Sequence, residues 1–240
     1  MIISILNTKG GCGKSTIAVN LSSGFAFLGM STLLVDTDNT GTSMEWSGKR
    51  QKPSELLTVI SIPNAKALTS AIQSLVTKHD VIVIDGAPQL EDLMTISVAV
   101  SDMVIIPVLP SPNDLWKLDP MVDLISRVQA TNENITGRPI QVHFVINNFV
   151  ARTRLSQEVY GALESYGYPV LESKLTTRMD YRDSMAQGTS AIEFTNPRAR
   201  EEVSLMVGEV MDKLGMEGNR EVLRKFVNTP IRLTGGAGGL

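Results

Sequence analysis

Residues 2–21 constrain the fold more than any other stretch. Ile2-Ile3-Ser4-Ile5-Leu6 is a short apolar run that reads as a buried strand, and Ile17-Ala18-Val19-Asn20-Leu21 reads as the first turns of a helix. Between them stands Lys9-Gly10-Gly11-Cys12-Gly13-Lys14-Ser15-Thr16. Strand, glycine-rich loop and helix, in that order, form the setting of a phosphate-binding loop. Glycines let the backbone curl until successive N–H groups face one anion. The helix N-terminus adds its partial positive charge. Lys9 through Thr16 are therefore the predicted nucleotide contacts. Lys14 offers a full positive charge to the terminal phosphates, and Ser15 offers a hydroxyl to Mg2+. The pattern departs from G-x-x-x-x-G-K-[ST], because position 8 is Thr8 and a second lysine, Lys9, follows it. A purely structural glycine turn would leave two lysines at one turn without a reason.

The rest of the chain supplies the partners such a loop needs. Ile17, Leu21, Phe25 and Leu28 recur at helical spacing, with Gly29 as the terminator. Thr32-Leu33-Leu34-Val35-Asp36 is a second strand ending in a carboxylate. Strand, helix and strand of this size imply a parallel right-handed crossover, with ligands at the carboxyl ends of the strands. Asp38 follows two residues on, and a carboxylate near a γ-phosphate can align an attacking water; aspartates at strand ends also serve as plain turn residues. A helix is expected after Thr42, with Trp46 as a packing residue. Leu56–Ile62 reads as a strand and Ala65–Val76 as a helix. Val81-Ile82-Val83-Ile84-Asp85 is four apolar residues and an aspartate. Such a strand is common alone but specific beside a phosphate loop, and Asp85 is the expected Mg2+ holder. Further strands are expected at 103–108, with Pro107 ending the ladder, at 140–146, and at 170–175. Helices are expected at 113–128, at 155–166 and from Asn196-Pro197 onward. Gly215 onward changes in composition: a short basic helix at 218–227, then a flexible glycine-rich tail. The expected division is residues 1–214 as one α/β domain and 215–240 as a C-terminal extension.

Composition excludes several classes. With 240 residues, 42% hydrophobic and 20% charged, the chain suits one soluble globular domain. A net charge of −3 provides no global basic field for nucleic acid. One cysteine rules out internal disulfides and cysteine-rich metal sites. No apolar run reaches the ~18 residues of a membrane span, and no leader is expected ahead of the first strand. A cytoplasmic location is the expectation.

The loop KGGxGK[ST], the aspartates at 36 and 38, the Val81–Asp85 strand and the later R-x-x-Y-R and G-x-S-x-x-E stretches (Arg178–Arg182, Gly188–Glu193) resemble the deviant Walker A loop family of ParA/MinD ATPases. The resemblance runs from residue 1 to about 214. It implies a three-layer α/β/α P-loop NTPase with a mainly parallel twisted sheet flanked by helices. It implies ATP and Mg2+ as cofactors, slow hydrolysis stimulated by a partner, and a homodimer formed on ATP binding. Lys9 would then reach the partner's phosphates, Lys14 would act in its own loop, and Asp38 would orient water. Ser15, Asp36 and Asp85 would hold the metal, and Asn147 would read the adenine edge, the alternative being a plain asparagine-rich turn. The family place after Asp38 reads Pro-Gln, whereas this chain has Asn39-Thr40, which bears on the hydrolysis rate. ParA-type dimers bind DNA non-specifically through basic residues of the C-terminal half. The candidates here are Arg152, Arg154, Arg178, Arg182, Arg198 and Arg200, which alternate with acids as a solvated mixed face also does. The implied function is DNA partitioning through a ParB-like centromere-binding adaptor, in association with the nucleoid and without stable membrane attachment. The alternatives are a MinD-like membrane-cycling ATPase, positioning of a protein cargo, and a non-hydrolysing nucleotide sensor.

Overall fold

The computed structural model describes residues 1–88, 91–136, 139–150, 154–194 and 196–216. Among these residues seven strands form one sheet in the order β3-β2-β4-β1-β5-β6-β7. They are β1 Ile2–Ile5, β2 Thr32–Asp36, β3 Leu57–Ser61, β4 Val81–Asp85, β5 Met103–Val108, β6 Gln141–Phe149 and β7 Leu175–Thr176. Every ladder is parallel. The helices are α1 Lys14–Phe27, α2 Thr42–Gly48, α3 Ala65–Leu75, α4 Glu91–Ala99, α5 Pro112–Leu115, α6 Asp119–Thr136, α7 Arg154–Glu164, α8 Met179–Ala186 and α9 Pro197–Lys213.

A parallel sheet needs apolar side chains on both faces, because its crossover helices cover both. Strand β4 shows how the sequence meets this. Val81 and Val83 join a core with Ile3, Ile5 and helices α1 and α9, while Ile82 and Ile84 point to the other side, toward Leu33, Val35 and Leu68. A further cluster between β5, β6, α6 and α7 completes the second layer, with Phe144 at its centre. Helix α1 is covered by the sheet below and α9 above, so it is apolar around most of its circumference. The crossing is close at Gly24, where a Cβ would lie 2.5 Å from Val207 Cγ2.

Several expectations change in detail. The single helix expected at 113–128 is two, α5 and α6, because the chain turns at Trp116–Leu118. Pro107 does not end the ladder: β5 pairs with β6 through Val108, while its pairing with β1 stops at Ile105. The missing N–H therefore falls where no neighbouring strand requires it. Strand β6 runs on through Asn147 and Asn148 rather than ending before them. Val170 forms only an isolated bridge with Phe144, and the edge strand proper is Leu175–Thr176. Asn196 caps α9 through a bond from Arg198 N, with Pro197 in the first turn, as the sequence indicates. The expected basic helix at 218–227 and the glycine-rich tail lie outside the described residues.

Candidate functional site

Five neighbouring strands deliver their carboxyl ends to one edge of the sheet. β1 runs into the glycine-rich loop, β2 ends at Asp36, β4 at Asp85, β5 leads to Asp114 and β6 carries Asn147. Asp36 and Asp85 are register partners across β2 and β4, so the two carboxylates sit side by side.

The loop is built on backbone that glycine accepts. Gly11 has φ 75° and Gly13, the N-cap of α1, has φ 95°. Lys14 is buried, and its Nζ donates to the Lys9 carbonyl at 2.8 Å. Cys12 is fully buried with Sγ on the same carbonyl at 3.3 Å, and burial pushes its thiol up despite nearby Lys14. It is a packing residue of the loop, not an exposed nucleophile. Asn7 fixes the loop's entry: its Nδ2 donates to Pro107 O at 2.7 Å and its Oδ1 accepts from Lys9 N at 2.9 Å. The Lys9 side chain is ion-paired with Asp114 on α5.

Asn147 has a task that sequence reasoning did not give it. Its Nδ2 donates to Cys12 O at 2.8 Å and its Oδ1 accepts from Asn148 N at 2.9 Å. Both ends of the amide are engaged, and a Cβ at position 13 would lie 2.0 Å from Nδ2. Through these two bonds Asn147 braces the phosphate loop against the end of β6.

Asp85 is 1% exposed, and its Oδ2 accepts from Ser43 Oγ at 2.7 Å. Its Oδ1 is buried with no hydrogen-bond partner. Burial lifts its pKa to about 7, opposed by the hydroxyls of Ser43 and Ser15, with the neighbouring Asp36 adding to the rise. Asp36 is fully buried; it accepts from Asp38 N at 3.0 Å and from Met44 N at 3.0 Å, so it caps the start of α2. Burial raises its carboxyl too, against those backbone donors. An orphaned buried carboxylate oxygen beside a second carboxylate and a serine hydroxyl is a donor set that suits a hard divalent cation. Asp38 is half-buried and accepts from Thr40 N at 2.9 Å, an Asx turn that holds its carboxylate at the mouth of the site. Thr37 joins the strand ends: its Oγ1 donates to Asp85 O at 2.7 Å and accepts from Ala87 N at 3.1 Å.

These side chains set one glycine-rich loop beside a pair of buried carboxylates, at the position where a parallel sheet binds ligands. A model of the CobQ/CobB/MinD/ParA nucleotide-binding domain matches residues 3–191. The chain belongs to this family. The "Maintenance of carboxysome distribution protein A" of Halothiobacillus neapolitanus is 27% identical over 212 residues, 87% of this chain and 95% of that one. The chromosome-partitioning ATPase Soj of Thermus thermophilus is 24% identical over 191 residues, 68% of this chain and 76% of its own. The solved structure of apo McdA from Cyanothece superposes with a TM-score of 0.74 at 14% identity, covering 87% of this chain and 98% of that one. As a ParA/MinD-type ATPase, this chain hydrolyses ATP.

The structure separates four of the six candidate arginines. Arg182 and Arg198 are exposed, on α8 and at the start of α9. Arg178 is tied to Glu202 by bonds of 3.0 and 2.7 Å, in a cluster where Glu202 also accepts from Tyr181 and Thr176. Arg200 is buried and donates to Phe194 O at 3.1 Å, so it is part of the core of the C-terminal half and not of an open basic face. Arg152 and the side chain of Arg154 lie outside the described residues. Among the described residues, no helix is long and apolar enough to cross a membrane.

Sequence reasoning missed Asn7, Ser43, Thr37 and Asp114. Ser111-Pro112-Asn113-Asp114 does carry a local signal, a serine three residues before an acid at a helix start. That signal points to a cap, and only the fold brings Asp114 to Lys9. Sequence reasoning also missed helix α4, although Glu91 and Asp92 in its first turn and the apolar Leu93, Met94 and Val98 are a local signal for it.

Proposed function

We propose that this protein is an ATP-driven dimerising switch that spaces a large cargo, most naturally a protein assembly, over a non-specific DNA surface. The observation that carries the reading is the pair of lysines on one loop. Lys14 is buried in its own loop, whereas the Lys9 side chain is 26% exposed at the rim. One phosphate loop uses one buried lysine. In the proposed dimer the second, at the rim, neutralises charge on the triphosphate of a facing copy.

In this reading Lys14 and the backbone of Gly10 to Thr16 bind the phosphates. Ser15, Asp36 and Asp85 hold Mg2+, which when bound supplies charge neutralisation at the β- and γ-phosphates. Asp38 aligns the attacking water, and Lys9 acts across the dimer. Asn147, which lies against the loop, follows it when nucleotide enters. Arg182 and Arg198 offer phosphate contacts that need no base sequence. Similarity over nearly the full length of the carboxysome-distribution relative supports a protein assembly as cargo. Similarity to Soj keeps DNA, through a ParB-like adaptor, as the second reading.

The decisive measurement is sedimentation with ATP, with ADP and without nucleotide, combined with DNA binding over a salt series. The expected result is a dimer only with ATP, DNA binding only by that dimer, and a steep loss of affinity with salt. The double variant Arg182→Glu/Arg198→Glu is expected to dimerise and lose DNA. Pull-down of an assembly protein, as opposed to a centromere-binding protein, from cells expressing the tagged chain decides the cargo. Binding to anionic liposomes in place of DNA would move the protein to the MinD-like class.

A further inference from the structure

Lys9 has a partner in its own chain that the dimeric reading does not use. Its Nζ is paired with Asp114 Oδ1. Asp114 is 5% exposed, and its other carboxylate oxygen takes a hydrogen bond from Ser111 Oγ. The Asp114 N–H is itself fixed on the Ser111 carbonyl at 3.0 Å. Lys14 cannot replace Lys9 there, because its ammonium is directed to the Lys9 carbonyl at 2.8 Å. A buried carboxylate that loses its counter-charge keeps only a hydroxyl and pays a desolvation penalty. Pulling Lys9 away is therefore costly.

We propose that Asp114 is a positioning residue that latches Lys9 to its own chain and competes for it with the triphosphate of a facing copy. This deepens the dimeric reading and rests on it. A nucleoside triphosphate carries enough charge to outbid one carboxylate, whereas an empty facing site offers nothing. The latch thus sets a threshold: copies stay apart until triphosphate is present. It also connects the site to the segment after β5. Trp116, two residues beyond Asp114, is 74% exposed on that segment, while Trp46 is 1% exposed.

The latch and the competition are tested separately. Nucleotide-free wild type and Asp114→Asn are treated with limiting acetylating reagent, and modification of Lys9 is followed by peptide mass spectrometry against exposed Lys78. Lys9 is expected to react about five-fold or more faster in Asp114→Asn, with protection restored in Asp114→Glu and a smaller increase in Ser111→Ala. Equal rates overturn the latch, whatever the oligomeric state. If Asp114→Asn does not fold, Ser111→Ala carries the test alone. Sedimentation with a non-hydrolysable ATP analogue then reads the competition: Asp114→Asn is expected to dimerise about tenfold more tightly than wild type. Unchanged or weaker dimerisation overturns the competition. A wild type that stays monomeric with the analogue overturns the dimeric reading and with it the competition, while the acetylation rates still decide the latch.

Discussion

Asp85→Asn should make the nucleotide-free protein more stable at neutral and alkaline pH. The wild-type carboxyl is lifted by burial from its ordinary 3.8 to about 7. Its folded pKa thus lies above its unfolded one. Between about pH 4 and 7 the unfolded chain has released this proton and the native chain still holds it, so the native state loses ground as pH rises and the loss levels off above about 7. About three pH units at ~1.4 kcal/mol each set an upper bound of ~4 kcal/mol, and ~2–4 kcal/mol is expected after local relaxation. Asparagine keeps an oxygen for the Ser43 hydroxyl, 2.7 Å away, and cannot ionise. The assay is urea unfolding of both proteins in EDTA from pH 4.5 to 8.5. The quantity to plot is the difference between them, because His143 works the other way. Burial lowers its pKa to about 4, with Lys213 assisting and Glu209 opposing. Stability from that neutral ring is present above its unfolded pKa of ~6.5 and lost as pH falls toward 4, which flattens the wild-type curve. The variant's advantage should grow steadily from pH 4.5 to 7 and then hold. Parallel curves would refute the assignment of this charge penalty to Asp85.

Gly13→Ala should abolish nucleotide binding and lower stability by ~1–3 kcal/mol, since the new Cβ meets Asn147 Nδ2 at 2.0 Å on backbone at φ 95°; fluorescent ATP-analogue titration and thermal melting check it. Glu202→Ala should cost ~2–4 kcal/mol and Glu202→Gln less, because one carboxylate takes bonds from Arg178, Tyr181 and Thr176. Burial would raise the Glu202 pKa, but those donors outweigh it and hold the carboxyl below its usual range, so this share of stability is lost as pH falls through that lowered value; acid titration of wild type against Glu202→Gln reads it. Trp46→Phe should lose ~1–3 kcal/mol by urea unfolding, because the indole N–H donates to Thr189 O at 2.9 Å and Arg50 stacks 4.6 Å from the ring centroid.

The sequence by itself determined the layers and the loop. Unbroken apolar runs such as Val81–Ile84, ended by an aspartate, read as strands covered on both faces, and the glycines between the first strand and helix, flanked by two lysines, read as a tight anion-binding turn. Asp36 and Asp85 were legible as site residues because each ends such a run, and parallel strands bring those ends to one edge. What the tertiary structure decided is which side chains meet there. Lys9 and Asp114 stand 105 residues apart, and Asn147 reaches Cys12 across 135. No local pattern encodes either contact, because both depend on the order β1-β5-β6 in the sheet. The same limit governed the arginines: Arg178, Arg198 and Arg200 look alike in the chain, yet α9 turns Arg200 inward, Glu202 captures Arg178, and Arg198 is left at the surface. Short-range periodicity fixes the strands and helices, whereas pairing of charges follows from how those elements pack, which is information carried by the whole chain at once.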